Sequence, residues 1–389
     1  MTLSESKERA TSFPLLIKKS WPAMLTFTAG VLFIALRLWV YDFNPSAVAE
    51  IGTRFRDLDP QGTEGYDGQF VLYIAQDLSP GSVAEHLDVP AYRYQRILLS
   101  LLAFVLSCGR AEVIPWMLLG INLAIHTAAV FSLQVYLEQT GSRRHYALIY
   151  GLWAGVMLTL GADLHEALAY GLVVLGWTNW RRGSRLGGFL LGLAVLAKET
   201  TILFWGAAFL EELAGLWKLR EGNTRDGLLK QIIQRTVLLV FPGIFFLIWQ
   251  LWLWTIFGRP GIGSGGAMAT EFEWIPYGGM FKLIPYSGYY RSIFALYIPA
   301  VVPSLWGLIV SIKKLYAGEI SGEVLALFLN SIMIIFLPFS SFREPWAVIR
   351  LVTGVVLALV LFSTKYEQKK VLNYAMFLIV YLVMLLKML

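Results

Sequence analysis

Apolar residues in this chain come in long unbroken runs, not in alternation. Such runs cover 21–41, 111–137, 147–177, 186–210, 236–257, 293–312, 323–338, 346–363 and 371–388. A helix crosses the hydrocarbon core of a bilayer with about 20 apolar residues, so the pattern predicts an all-α polytopic membrane protein. An outer-membrane barrel is excluded, because its strands alternate with a period of two. The first run follows Lys18 and Lys19, is too long for the core of a secretory signal, and has no small-residue cleavage site behind it. It is expected to remain as the first span.

Two runs are too long for one span and slightly short for two. Asp163, His165 and Glu166 interrupt residues 147–177, and Lys198 and Glu199 interrupt 186–217. A charge at the bilayer centre costs at least ~2.5 kcal/mol. Each run is therefore expected to be a helical hairpin with its charged tip at or just beneath the outer surface, and Gly161 breaks the first. The stretch from Ile97 to Cys108 is apolar but too short to span, and it is expected to lie along the outer interface.

With each hairpin counted as two spans, the chain has about eleven. Orientation follows from lysine and arginine, which collect in cytoplasmic loops. Lys7, Arg9, Lys18 and Lys19 place the N-terminus inside. Arg143 and Arg144, then Arg181, Arg182 and Arg185, then Lys218, Arg220, Arg225, Lys230 and Arg235 fall on the same side, followed by the later lysine pairs. The inner side is then net basic and the outer side net acidic, with the C-terminus outside. Residues 1–389 form a single transmembrane domain, with a first outer loop at 42–96 holding interfacial helices and a second at 258–292. The expected location is the inner (cytoplasmic) membrane.

Composition agrees. Residues are 57% hydrophobic and 15% charged, against about 25% charged in a soluble domain. The net charge of +6 belongs to the inner loops, and no basic array interleaved with aromatics suggests nucleic acid. A single cysteine, Cys108, excludes an internal disulfide and a thiolate metal cluster.

This topology gathers the unusual polar residues on the outer face: carboxylates and arginines from separated loops, as a site for an anionic substrate handled by acid–base chemistry requires. Asp67 sits in GYDGQ between Gly65 and Gly68, where the backbone can turn tightly and approach a ligand. It can cap the following helix, accept a proton from a hydroxyl, or do both. Asp57 and Asp59 form a D-x-D pair, which reads as a solvated loop or as a site for a metal-bound sugar phosphate. Arg93 and Arg96, three apart in AYRYQR, can fork a phosphate or reach lipid headgroups. Asp163 and Glu166 flank His165 and can orient a substrate, ligate a divalent cation, or stabilise a helix N-terminus. Lys198 and Glu199 can pair with each other or with the first tip. Arg343 and Glu344 open the 346–363 run, and Arg350 lies at membrane depth beside the outer face, a functional candidate with a lipid phosphate as partner. His126, with Asn122 one turn before it, reads as an interhelical contact. The chain has no P-loop, no G-x-S-x-G elbow and no H-E-x-x-H, so nucleotide-driven chemistry on the inner side has no visible site.

GYDGQF and YRYQRIL in the first outer loop, then ADLHEALA, LAKETTIL and FREPWAVIR, resemble the integral-membrane GT-C glycosyltransferases of bacteria over about residues 20–350. The resemblance implies inverting transfer of a sugar from a polyprenyl-phosphate donor to a glycan, lipid or protein acceptor at the extracytoplasmic face, without nucleic acid. By it, Asp67 is the general base, and Glu64 and Gln69 lie beside the substrate. Asp163, His165, Glu166 and Glu199 match acids and neighbours of the later outer loops. Arg93, Arg96, Lys198, Arg343 and Arg350 neutralise the phosphate leaving group. A divalent cation, Mg or Mn, is an open requirement, with Asp67, Asp163 and Glu166 as its ligands if one is used. The alternatives are a transporter or flippase for an anionic lipid, and a ligase or polymerase acting on a lipid-linked glycan.

Overall fold

The computed structural model describes residues 13–220, 226–286 and 290–389. Lys7, Arg9 and Arg225, which help to orient the chain, lie outside them, as do residues 287–289 of the second outer loop. The described residues are all-helical, and their only extended pairing is an isolated antiparallel bridge between Ile51 and Gly65.

Among the described residues six helices are long and apolar enough to cross a membrane: Ser20–Val40, Ile114–Gln139, Ile232–Phe257, Tyr297–Tyr316, Pro345–Lys365 and Lys369–Met388. The expected count of about eleven is not confirmed. The other apolar runs break at their polar residues into shorter pieces. The first hairpin consists of Ala154–Leu160 and Glu166–Arg181, turning at 161–165. The second consists of Leu186–Ala197 and Ile202–Arg220, turning at Lys198 and Glu199. Gly322–Ile335 has only 14 residues. At 1.5 Å per residue it spans about 21 Å, less than the hydrocarbon thickness of about 30 Å.

Burial ranks the helices. Pro345–Lys365 is 89% buried along its apolar window and forms the axis of the bundle, whereas Ile232–Phe257 and Lys369–Met388 are 22% buried and present apolar faces outward. The Glu166–Arg181 helix is almost wholly enclosed. The Ile97–Leu106 helix buries Leu98, Leu99, Ser100 and Ala103 and leaves Leu101, Val105 and Leu106 exposed. Its ten residues are too few to span a bilayer, and its exposed face is apolar.

Two glycines bring the first loop onto the hairpin tip. Gly65 has φ +72°, a left-handed turn that brings the chain back beside Gly52. Gly68 packs its bare α-carbon against the tip, where an added Cβ would stand 2.3 Å from the carbonyl oxygen of Ala162. The obstacle is backbone and cannot rotate away. Gly68→Ala is expected to lower stability by about 3 kcal/mol, seen as a lower Tm in detergent, and to part Asp67 from the hairpin. An unchanged Tm would mean that the two segments are not held in contact.

Candidate functional site

The Asp67 loop, the Pro90–Tyr94 helix, the first hairpin tip and the start of the Pro345–Lys365 helix meet at one narrow pocket. Asp67, Arg93, Arg96, His165, Glu166 and Arg350 line it, and Phe70, Val71, Ile74 and Leu164 supply its apolar wall.

Asp67 is the centre. It occupies the position before the Gly68–Gln76 helix, yet its side chain makes no capping bond. Arg93 Nη1 donates to Asp67 Oδ1 at 2.9 Å, and Arg350 donates to Oδ2 through Nη1 at 3.1 Å and Nη2 at 3.0 Å. Burial alone pushes the Asp67 carboxyl up. The guanidinium groups of Arg93 and Arg350, with Arg96 behind them, outweigh it and hold the carboxyl far below the usual carboxylate range. The pairing therefore contributes fully above the ordinary aspartate pKa of about 3.9 and is lost only in stronger acid.

The pairing extends on both sides. Arg93 is gripped by Asp88, Nε to Oδ1 at 2.7 Å and Nη2 to Oδ2 at 2.9 Å. Its guanidinium lies 4.2 Å over the Phe70 ring. Arg350 Nε stands 3.7 Å from Glu166 Oε1, and Lys198 Nζ donates to the same oxygen at 2.7 Å. Arg96 forks onto Glu199 at 2.7 and 2.6 Å and donates to the Tyr92 hydroxyl. Tyr66 donates to Glu344 at 3.0 Å and underlies the Arg350 guanidinium. Four cations, Arg93, Arg96, Lys198 and Arg350, thus face four carboxylates, Asp67, Asp88, Glu166 and Glu199. Glu344, 3.9 Å from Arg350 at the more exposed edge, adds a fifth carboxylate, and the mostly buried set is a costly arrangement to maintain for stability alone.

Several expected members lie elsewhere. Glu64 pairs with Arg54 in an exposed bridge at 2.8 Å, away from the pocket. Gln69 is buried but spends its amide on backbone, accepting from Gly52 N at 3.0 Å and donating to Glu64 O at 2.6 Å. Arg343 does not line the pocket; its guanidinium lies 6.0 Å from the Phe339 ring. Asp57 pairs with Arg56 on the exposed surface. Asp163 is fully buried at the hairpin tip, in a left-handed conformation, with neither carboxylate oxygen hydrogen-bonded among the described residues. Lys198 and Glu199 do not pair with each other; they join the network through Glu166 and Arg96. No group of three or more His, Cys, Asp or Glu side chains among the described residues is placed to hold a metal ion.

One supporting residue carried no signal in the sequence: Asp88, five positions before Arg93 and just ahead of the proline that starts that helix. Asn122 makes the interhelical contact expected of it, and the structure adds what it supports. Its side chain accepts from Leu168 N at 3.2 Å and donates to Leu164 O at 2.9 Å, so it fixes the backbone on both sides of Glu166. Its neighbour His126 bonds Gly151 O at 2.9 Å, the interhelical contact its spacing suggested. Arg37 also holds the tip, donating to Gly161 O at 2.9 Å. Asn122→Leu leaves two buried backbone groups unpaired and is expected to cost about 2–3 kcal/mol. A thermal melt checks this, and no loss of Tm would remove Asn122 as a support of the tip.

Comparison of the chain with protein-family models, with curated proteins and with solved structures finds no match.

Proposed function

We propose that this chain is a membrane-bound GT-C-type glycosyltransferase, moving a hexosyl or pentosyl group from a polyprenyl-phosphate donor to an acceptor hydroxyl. One observation carries the reading: the arginine-rich pocket and a separate apolar groove are linked through one short segment, Glu199 to Ile202. The groove, of about 320 Å³, lies between the second hairpin and the Ile232–Phe257 span and is lined by Trp205, Phe209, Val240, Pro242, Phe246 and Leu247. Ile202 lines the groove three residues after Glu199, the partner of Arg96. A substrate with an anionic head on a hydrocarbon chain matches both parts at once. The earlier topology, about eleven passes with the N-terminus inside and the pocket on the extracytoplasmic side, belongs to this proposal.

In this mechanism Arg93 and Arg350 hold Asp67 until substrate arrives. The donor phosphate then displaces the Asp67 carboxylate from these guanidinium groups, since guanidinium binds phosphate in a bidentate manner. Released from two cations, the Asp67 carboxylate regains ordinary basicity. It accepts the proton of the acceptor hydroxyl as that oxygen bonds to the anomeric carbon. The bond from that carbon to the phosphate oxygen breaks on the opposite face, its electron pair leaves with the phosphate, and configuration inverts. Arg93, Arg96 and Arg350 offset the charge that gathers on the leaving group. Where a divalent cation is used, Asp67 and Glu166, both facing Arg350, are the carboxylates in reach of the phosphate.

A flippase would need polar groups along a path through the bundle. Below Arg350 its helix buries Thr353, Ser363 and Thr364 among aliphatics such as Val352, Val356 and Leu357, so a transport assay decides between the two readings. Purified protein in liposomes, supplied with radiolabelled polyprenyl-phosphate sugars and acceptor lipids or glycans, should release polyprenyl phosphate. Movement of the intact lipid across the bilayer without release of phosphate would sink the transferase reading.

A further inference from the structure

The second outer loop carries a surface that the pocket does not use. Its described part, residues 258–286, continues directly from the Ile232–Phe257 span. Met268, Phe272, Trp274, Ile275, Phe281 and Ile284 are all more than half exposed, and Trp274 reaches 95%.

The backbone beneath these side chains is pinned. Glu273 N donates to Phe336 O at 3.1 Å and Tyr277 N to Ile335 O at 2.7 Å. Thr270 N donates to Ser340 Oγ at 3.0 Å, and the buried Tyr277 hydroxyl shares a hydrogen bond with Ser304 Oγ at 2.9 Å. A loosely held loop would fold its apolar side chains inward. This one is fixed as a shelf with those side chains turned out, which needs a partner to cover them.

Three observations favour lipid as that partner. The loop that carries the shelf follows directly on a helix long and apolar enough to cross a membrane. That helix turns Leu247, Leu251, Trp254 and Ile256 outward at 62%, 60%, 56% and 48% exposure, so the shelf follows an apolar band in the chain. Within the shelf, Glu273 and Lys282 cancel each other in an ion pair at 2.7 Å, which lowers the cost of leaving bulk water, and the exposed Glu271 is the one charge outside that pair. The side-chain types, tryptophan with aliphatics and a flanking lysine, are those that settle at the boundary between headgroups and hydrocarbon.

We infer that residues 268–284 form a shelf seated in the interfacial layer of the leaflet on the pocket side, with the lipid surface itself as its partner. The same loop touches the site: Ala267 N donates to Asp88 Oδ2 at 3.1 Å, and Asp88 grips Arg93. The bilayer then fixes the height of the pocket roof, and the pocket mouth opens at headgroup level. This placement holds whether or not the chain transfers sugar.

The test uses the full chain in phosphatidylcholine nanodiscs. Cys108→Ser removes the exposed native thiol. Trp274→Cys, Phe272→Cys and, at a far turn, Ala317→Cys are each labelled with an environment-sensitive fluorophore. The labels at 274 and 272 should emit to the blue of the label at 317. They should be quenched several-fold more by lipids spin-labelled near the headgroup than by aqueous iodide, with the order reversed at 317. Iodide quenching at 274 equal to that at 317 would place the shelf in water and overturn the inference. Protection from both quenchers would assign the shelf to a protein partner and overturn it equally.

Discussion

Asp67→Asn is expected to abolish sugar transfer and at the same time tighten the hold on polyprenyl phosphate. The transfer rate should fall by about 10²–10⁴-fold, the usual contribution of a general base. Affinity for the lipid phosphate should rise about tenfold, or ~1.4 kcal/mol. The opposite signs follow from the resting site, where Arg93 and Arg350 already spend three hydrogen bonds on the Asp67 carboxylate. A phosphate must displace that carboxylate before it can bind. Asparagine keeps the shape and one acceptor oxygen but removes the competing charge, so the arginines are freed. Titration of polyprenyl phosphate into the variant in nanodiscs, beside a transfer assay, reads both effects. Weaker binding in the variant would show that Asp67 does not occupy a phosphate position. Full transfer would remove it as the base.

Arg350→Met should do the reverse to binding and also damage the fold. Arg350 is the cation shared by Asp67 and Glu166. Its side chain is 9% exposed and that of Glu166 only 1%. Removing one partner of a buried pair leaves the other charge uncompensated and costs about 3–5 kcal/mol. Phosphate affinity should fall by about two orders of magnitude, or ~2.8 kcal/mol. Arg350→Lys should fall between, because an ammonium keeps the charge but not the fork. The double variant Arg350→Met with Asp67→Asn should recover part of the lost Tm, since it removes one of the stranded charges. If both single variants lose Tm and the losses simply add in the double, the coupling of Asp67 to Arg350 would be refuted.

The membrane class was legible because lipid leaves a chain few options: backbone groups must bond internally, and only long apolar runs can do so as helices. The hairpin turns at Asp163–Glu166 and Lys198–Glu199 were legible for the same reason, since a charge in an apolar run marks where the helix stops. The number of spans was not. Hydropathy counts apolar residues, whereas helices as short as Ala154–Leu160, Leu186–Ala197 and Gly322–Ile335 fall below the length that crosses a bilayer unaided.

The sequence by itself determined that Asp67, Arg93, Arg96, Glu166, Lys198, Glu199 and Arg350 are expensive groups for so apolar a chain and need partners. It could not say which partners. Glu64, Gln69 and Arg343 carry the same chemical promise as Asp67 and Arg350, and the fold leaves them outside the pocket. Asp88 looked ordinary and Asn122 only like an interhelical contact, and the fold makes one the grip on Arg93 and the other the support of Glu166. Asp67 and Arg350 lie 283 residues apart in the chain and 3.0 Å apart in space. Charge and hydropathy are properties of single residues and can be read in order. Pairing in a low-dielectric interior depends on distances between elements, and only the tertiary packing sets those.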